Sequence, residues 1–380
     1  MTAAMIGPRA SARRPERGKR TKNTAARPGI ADLQEETQVD SSRRVMLVER
    51  PRYIVPTANC FRLATGHRPD PGPGEMRIRT QWLSMDVMLY SQLKQVSADV
   101  TPLPIDSTMV GPTVGTVEAS NLADFPVGTL LSGYWGWQEH AISAGRRLRK
   151  LDFGVQKPSY GVSAYGSSAF GAYIALEVLA PVAKGETVVV GTALGGLGHI
   201  AGQIAKLKGA RVVGIAGSAE KCRIAVEQLG FDACVDHKAK DFAERLRAAC
   251  PNGVDVNVET IGGRSLDAIA PLLNHNARIA ACGLMDTPHL GDQPFEGRYT
   301  QLQSFLYLLI NRRVSMRGLV VFDYIRSHSD AFHRDMKAWI DAGQVKPMED
   351  IVNGLENAPA AFNDIFMGRN RGKRLIRVAD

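Results

Sequence analysis

The chain has 380 residues, 44% apolar and 22% charged, with a formal net charge of +9. This is the composition of an ordinary globular protein, and the length allows two domains. No apolar run approaches the ~18 residues needed to cross a bilayer. Five scattered cysteines, with no CxxC pair and no secretory signal, speak against a disulfide framework and for a reducing, cytoplasmic setting.

The first 44 residues carry ten Lys/Arg against five Asp/Glu and no aromatic residue. Such a segment buries too little surface to offset its ordering entropy, which predicts a disordered basic tail over 1–44. A solvated extension is the simpler reading than a nucleic-acid arm. From 45 to 164 short β-like runs (44–48, 75–80, 115–119) alternate with Pro/Gly turns, which predicts a compact, mostly β unit. From 165 to 340 strands and helices alternate. Strands are predicted at 186–191, 210–217, 233–237, 254–260, 277–283 and 316–324, and helices at 196–208, 218–229, 241–250 and 263–273. That order predicts an α/β unit, a doubly wound parallel sheet with helices on both faces. The last stretch, 341–380, returns to short segments and ends in a β-like 374–378.

The sharpest local signal is Thr187-Val-Val-Val-Gly-Thr-Ala-Leu-Gly-Gly-Leu-Gly198, a buried-strand run meeting a G-x-G-x-x-G-like turn with Ala193 in the first place. An amphipathic helix follows. Gly195 and Gly196 let backbone amides approach a pyrophosphate, Leu197 begins the apolar helix face, and Gly198 allows the helix to pack close to the sheet. The helix start would offer unpaired N–H groups to the phosphates. A tight turn without a ligand is the competing reading. About 20 residues on, where an NAD site would carry Asp or Glu, the chain reads Ile215-Ala-Gly-Ser218 and then Lys221. A hydroxyl and a cation at a helix start suit a 2′-phosphate, so NADPH is the expected cofactor. The alternative is a solvated first-turn lysine, a poor placement against the helix dipole. His199, just inside the helix, reads as a helix-surface residue. No Cys/His cluster has zinc spacing, so no metal is expected.

With these residues in view, the chain resembles the medium-chain dehydrogenase/reductase superfamily, in its zinc-independent branch of prostaglandin, 2-alkenal and curcumin reductases. The resemblance runs over about 45–380 and is carried by Gly136-Trp-Gln-Glu139, Gly195–Lys206, Val213–Cys222, Leu229-Gly-Phe-Asp232, Ile261-Gly-Gly263, Cys282-Gly283, Gly318–Tyr324, Asp350–Glu356 and Gly368-Arg-Asn-Arg-Gly-Lys373. It implies a Rossmann unit at 165–340 and a GroES-like, mostly β substrate domain made of 45–164 and 341–380. It further implies that the 195–198 turn takes the pyrophosphate and Lys221, with Ser218 and His237, the 2′-phosphate. Thr260, the Cys282-Gly283-Leu284 loop and the Leu319-Val320-Val321 main chain would flank the nicotinamide, with Asn370 nearby.

The departures fall on the substrate side. The family's loop of the type Ala-Ile-Ser-x-Tyr reads Leu284-Met-Asp-Thr-Pro288, and its Ser-Leu-Asp-Pro-Tyr-Met-Arg reads Ser84-Met-Asp-Val-Met-Leu-Tyr90. The Asn-Tyr-Lys run near the phosphate reads Asp236-His237-Lys238, and Glu259-Thr260 stand where Asn often precedes the Gly-Gly turn. Tyr90 and Tyr324 are the candidate catalytic residues. Tyr134, His140, Asp286 and His289 are further candidates, and water could equally protonate an enolate. The expected activity is hydride transfer from NADPH to the β-carbon of an enal or enone. Quinone or specialised-metabolite reduction, and an inactive NADPH-binding protein, are the alternatives. The resemblance implies a homodimer acting on small molecules, without nucleic acid or membrane.

Overall fold

The computed structural model describes residues 41–52, 55–94, 101–283, 285 and 299–379, with backbone only for 299–302; these form one unit. The chain enters through β1 (Ser41–Leu47), antiparallel to β2 (Phe61–His67). Residues 41–44, expected in the tail, therefore belong to a strand. Ser42 and Val45 are buried, and the Arg43 guanidinium pairs with Glu139 at 2.7 Å. The predicted tail up to residue 40 lies outside the described residues.

β3 (Met76–Ser84), β4 (Ser107–Thr108), β5 (Thr113–Ser120), β6 (Leu130–Gly133), β7 (His140–Ser143) and β8 (Arg149–Lys150) complete the first β region. Between β3 and β4 a 3₁₀ turn (Val87–Leu89) leads into a single helical turn (Tyr90–Leu93). Gly115 on β5 must stay bare, because a Cβ there would lie 2.3 Å from the Arg79 carbonyl. That close approach is how β3 and β5 cross with a shifted register.

Helix α1 (Ser167–Ile174), prolonged by a π turn, leads into the alternating region: β9 (Thr187–Val190), α2 (Gly198–Leu207), β10 (Arg211–Ala216), α3 (Ala219–Glu227), β11 (Ala233–Asp236), α4 (Phe242–Ala249), β12 (Val254–Glu259), α5 (Gly263–Ile269), β13 (Leu273–Ala281), α6 (Tyr299–Arg312), β14 (Ser315–Gly318) and α7 (Ile325–Asp341). The six strands pair in parallel in the order 11-10-9-12-13-14. Both faces are buried. Val188 and Val190 enter one core cluster and Val189 the other, which explains why β9 reads as an unbroken Val run. The order reverses between β9 and β12, and the crevice beyond their carboxyl ends is where doubly wound sheets hold ligands.

The chain then returns to the first region. β15 (Glu349–Asn353), α8 (Ala358–Phe366) and β16 (Lys373–Arg377) place β16 against β3. Two expectations change. Residues 316–324 are not one strand: pairing with β13 ends at Gly318, and 321–324 turn in a 3₁₀ helix. Val320 and Phe322 are 58% and 57% exposed, so their strand-like run covers no core. Helices α6 and α7, absent from the sequence reading, flank that segment.

Candidate active site

The glycine turn is held by close backbone approach. A Cβ on Gly198 would sit 2.2 Å from the Thr192 carbonyl, and on Gly195 3.1 Å from the same oxygen. Gly202, one turn on, faces the Phe231 ring, where a Cβ would come within 1.9 Å. The turn starts at Thr192, a β-branched residue at φ 43°. A non-glycine residue there costs of order 1–3 kcal/mol and persists only where its surroundings hold it. Two contacts do so: Gly195 N–H donates to the Thr192 carbonyl at 2.6 Å, and the Thr192 and Thr260 hydroxyls share a 3.0 Å hydrogen bond.

Thr260 joins this turn to the next loop. Its carbonyl accepts Met285 N–H at 3.0 Å, and Cys282 N–H donates to the Glu259 carbonyl at 2.7 Å. The Glu259 carboxylate is buried and accepts Ile261 and Gly262 N–H (2.7 and 2.8 Å) and the Asn257 amide (2.9 Å). Gly283 lies beside the Thr260 carbonyl, and Leu319 N–H donates to Ala281 O at 3.0 Å. Leu197 and Leu319 both reach Gly171 of α1, so the turn and the 319–321 segment meet over that helix. Val320 points outward and Val321 is buried. Burial pushes the Cys282 thiol up to about 12, keeping it neutral. Leu284, with Asp286 and His289, lies outside the described residues.

Beneath the turn lies a buried ion pair that sequence reasoning missed. The Lys373 ammonium donates to the Asp86 carboxylate, and both side chains are about 5% exposed or less. Ser84 and Ser168 donate to the same carboxylate at 2.7 and 2.9 Å. A Cβ on Gly196 would lie 2.7 Å from Lys373 Cδ, so the turn rests on the lysine stem. Burial opposes ionisation more strongly than any one favourable cause, but the lysine charge and the hydrogen bonds from Lys373, Ser84 and Ser168 together outweigh it, and the Asp86 carboxyl is held below the usual carboxylate range. His199 is a correction to the sequence reading. It is buried, not on the surface, and burial lowers it to about 4. The neutral ring donates from Nδ1 to the Gly195 carbonyl at 2.7 Å, bracing the turn from inside the helix.

At the other end of the crevice, Ser218 caps α3 and accepts Lys221 N–H at 3.3 Å. The Lys221 ammonium donates to the Gly368 carbonyl at 2.7 Å. The His237 ring lies over bare Gly217, 3.2 Å from where a Cβ would be, and Lys238 follows. Neither Lys221 nor Lys238 has an ion pair among the described residues. Burial, then repulsion from Lys238, depresses the Lys221 ammonium. A half-buried and an exposed lysine, only partly offset by Asp350, which pulls the other way on Lys221, form an arrangement that a bound anion would complete. Lys238 is a second residue the sequence reading left out. Asn370 donates to Gly372 O at 2.8 Å, shaping the 368–372 loop that brings Gly368 to Lys221.

The two candidate tyrosines differ in placement. Tyr90 packs edge-on to Phe366, centroids 5.9 Å apart, against the core of the first β region. Tyr324 lies 5.8 Å from the His328 ring just after the 319–321 segment, its hydroxyl without a hydrogen-bond partner among the described residues. His140 bonds Ser42 at 3.1 Å. Tyr134 is pushed above its usual range by burial and then by Asp86, so it stays a neutral phenol.

Residues 43–151 match the family model described as the N-terminal domain of oxidoreductase, and 196–338 the one described as zinc-binding dehydrogenase. The chain is 40% identical over 342 residues to an NADPH-dependent curcumin reductase of Escherichia coli (strain K12), covering 90% of this chain and 98% of that one. It belongs to the zinc-independent branch of the medium-chain dehydrogenase/reductase family. A 2-alkenal reductase (NADP(+)-dependent) of Nicotiana tabacum is 32% identical over 81% of this chain and 88% of its own. Among solved structures, CurA from Vibrio vulnificus in complex with NADPH superposes with a TM-score of 0.83 at 40% identity, over 89% of this chain and 99% of that one. Within this family fold, the described residues contain no group of three or more His, Cys, Asp or Glu placed to hold a metal.

The buried pair makes a stability prediction. Lys373→Met strands a buried carboxylate and should cost about 3–5 kcal/mol in urea unfolding at neutral pH, whereas adding Asp86→Leu should recover most of that loss. Asp86 is depressed in the parent, so its contribution is present above the usual carboxylate pKa and is lost as pH falls through its lower folded value. In Lys373→Met burial, the largest cause, is opposed only by the two serine hydroxyls and raises Asp86, so the gap between variant and parent should narrow in acid. A single-variant cost below about 1 kcal/mol would mean that the carboxylate is not isolated from water.

Proposed function

We propose that this chain is an NADPH-dependent reductase of C=C bonds conjugated to a carbonyl, acting on small enals and enones. The observation that carries the reading is the conjunction of a backbone cradle at 195–198 with Lys221 and Lys238 beyond it, neither of which has an ion pair among the described residues. The cradle has room only for main chain, which suits a pyrophosphate at the α2 N-terminus. The lysines, with Ser218 O–H and the His237 ring, suit a 2′-phosphate, and the phosphate would relieve the repulsion that lowers Lys221. When bound, NADPH supplies the hydride that the β-carbon accepts.

This chain's own residues hold and screen the reaction. Thr260, Cys282, Gly283 and the 319–321 main chain bound the nicotinamide end, and the neutral Cys282 thiol adds no charge there. The negative charge that develops on the substrate oxygen needs donors. Tyr324, whose hydroxyl has no hydrogen-bond partner among the described residues, is the side chain we assign to that oxygen, and water delivers the proton to carbon. Tyr90 is left a packing role. We place the protein in the cytoplasm, where its five thiols stay reduced. No helix among the described residues is long and apolar enough to cross a membrane.

The same assay tests substrate class and phosphate recognition. NADPH oxidation should be stimulated by enals and enones more than by quinones. Lys221→Ala should raise the NADPH KM roughly 10- to 100-fold, the loss of a charged hydrogen bond worth about 1.5–3 kcal/mol, with NADH turnover unchanged. A preference for NADH in the parent, or equal loss with both cofactors, would remove the phosphate assignment. Tight NADPH binding with silence across the panel would favour a non-catalytic protein.

We further infer a homodimer. β14 ends the parallel sheet with all four residues exposed, and Tyr307 and Ile310 on α6 are 72% and 74% exposed on one helix face. An edge unpaired among the described residues, together with exposed apolar side chains on α6, is a surface that a second copy covers. Light scattering should report two chains, and Ile310→Glu should yield one; a monomeric parent overturns this.

A further inference from the structure

The loop between α8 and β16 is tied to the start of α3 by two side chains. The Lys221 ammonium donates to the Gly368 carbonyl at 2.7 Å, and the Arg371 guanidinium donates to the carboxylate of Glu220, the residue before Lys221, at 2.9 Å. Arg371 and Lys221 are therefore neighbours across one junction, and the arginine is among the charges that repel the lysine.

The arginine is fixed at its backbone and loosely held at its head. Arg371 N–H donates to the Asp350 carboxylate at 2.7 Å, and the same carboxylate pairs with the buried Arg374 at 3.2 Å. Asn370 donates to Gly372 O at 2.8 Å, and a Cβ on Gly372 would lie 2.7 Å from the Met348 carbonyl, so the main chain at 370–372 has little freedom. The Arg371 and Glu220 side chains, by contrast, are 61% and 47% exposed. An ion pair so open to water holds weakly. Nor does Glu220 depend on it, because an acid in the first turn of a helix is favoured by the helix dipole.

We propose that Arg371 is a third cation of the 2′-phosphate site and that Glu220 competes with the phosphate for it. The assignment deepens the NADPH reading and rests on it. A guanidinium fork donates two parallel N–H bonds to phosphate oxygens, a geometry that neither Lys221 nor Lys238 can offer. In the free protein Glu220 parks the fork one residue from Lys221. A doubly charged phosphate attracts the fork more strongly than a single carboxylate, and Glu220 is then left to water. NADH, with a hydroxyl in that place, leaves Arg371 on Glu220. Preference between the two cofactors is thus set by an acid as well as by cations.

Fluorescence titration of the full chain with NADPH and NADH tests this, in about 0.15 M salt, where exposed charges beyond roughly 8 Å are screened. Arg371→Ala should raise the NADPH Kd about tenfold and leave NADH unchanged. Glu220→Gln should lower the NADPH Kd about threefold, again without effect on NADH. In the double variant the gain from Glu220→Gln should vanish, since no guanidinium is left to release. Plain repulsion between Glu220 and the phosphate would instead give a gain at least as large there. An Arg371→Ala variant that binds NADPH as the parent does, or that loses both cofactors equally, overturns the proposal. So does a Glu220→Gln gain that is absent or that persists in the double variant. If Lys221→Ala loses NADPH and Arg371→Ala does not, the third cation falls and the NADPH reading stands. If the parent fails to distinguish NADPH from NADH, both fall.

Discussion

A lysine and an aspartate that almost no water reaches hold three distant segments at one point. Asp86 ends the loop after β3, Ser168 opens α1, and Lys373 begins β16. Each ion alone would be costly to bury; together, with two hydroxyls on the carboxylate, the charges are matched and their hydrogen bonds largely made. The glycine turn then lies on the lysine stem, at a distance that leaves Gly196 no room for a side chain. Much of the crevice geometry follows. His199 is buried and neutral because the first turn of α2 faces inward here, and its ring steadies the Gly195 carbonyl. Thr192, in a backbone region it would not choose, is held by Thr260 on the neighbouring strand end.

The two ends of the crevice are built on opposite electrostatic logic. Under the turn, charge is cancelled within the protein. Around Lys221 and Lys238 it is only partly cancelled: Asp350 attracts Lys221 but pairs with Arg374, and Glu220 pairs with Arg371. These pairings occupy the local acids with arginines and leave the lysines to repel one another. Repulsion that a ligand relieves favours that ligand over one lacking the charge, which is how a site comes to distinguish two cofactors differing by one phosphate.

The strand, the glycine turn and the helix starts of the Rossmann unit were legible in the sequence because their signals are local. A Val run, a glycine turn and an amphipathic helix adjoin one another, and Lys221 stands within one turn of Ser218. The partners that brace this unit were not legible. Lys373 and Asp86 are 287 positions apart, and no periodicity links them. His199 read as a surface residue because nothing near it in sequence says that the return of the chain covers α2. Residues 316–324 read as a strand because Val320 and Phe322 look like core, yet both are more than half exposed. Helix α7 escaped notice because its Arg, His, Ser and Asp residues mask a buried stripe limited to Phe332 and Met336.

The same burial pattern explains which family-like positions survive on the substrate side and which have changed. In Ser84-Met-Asp-Val-Met-Leu-Tyr90, Ser84 and Asp86 match the family pattern, and both are buried in the cluster with Lys373. Val87 and Met88 stand where that pattern has Pro and Tyr, and they are 38% and 39% exposed. Replacing Asp86 would strand a buried lysine, a penalty of several kcal/mol. Replacing a half-exposed neighbour disturbs little packing. The sequence is therefore free to drift at 87 and 88 while the strut one residue away stays in place, so a changed loop here is no sign of a failing fold.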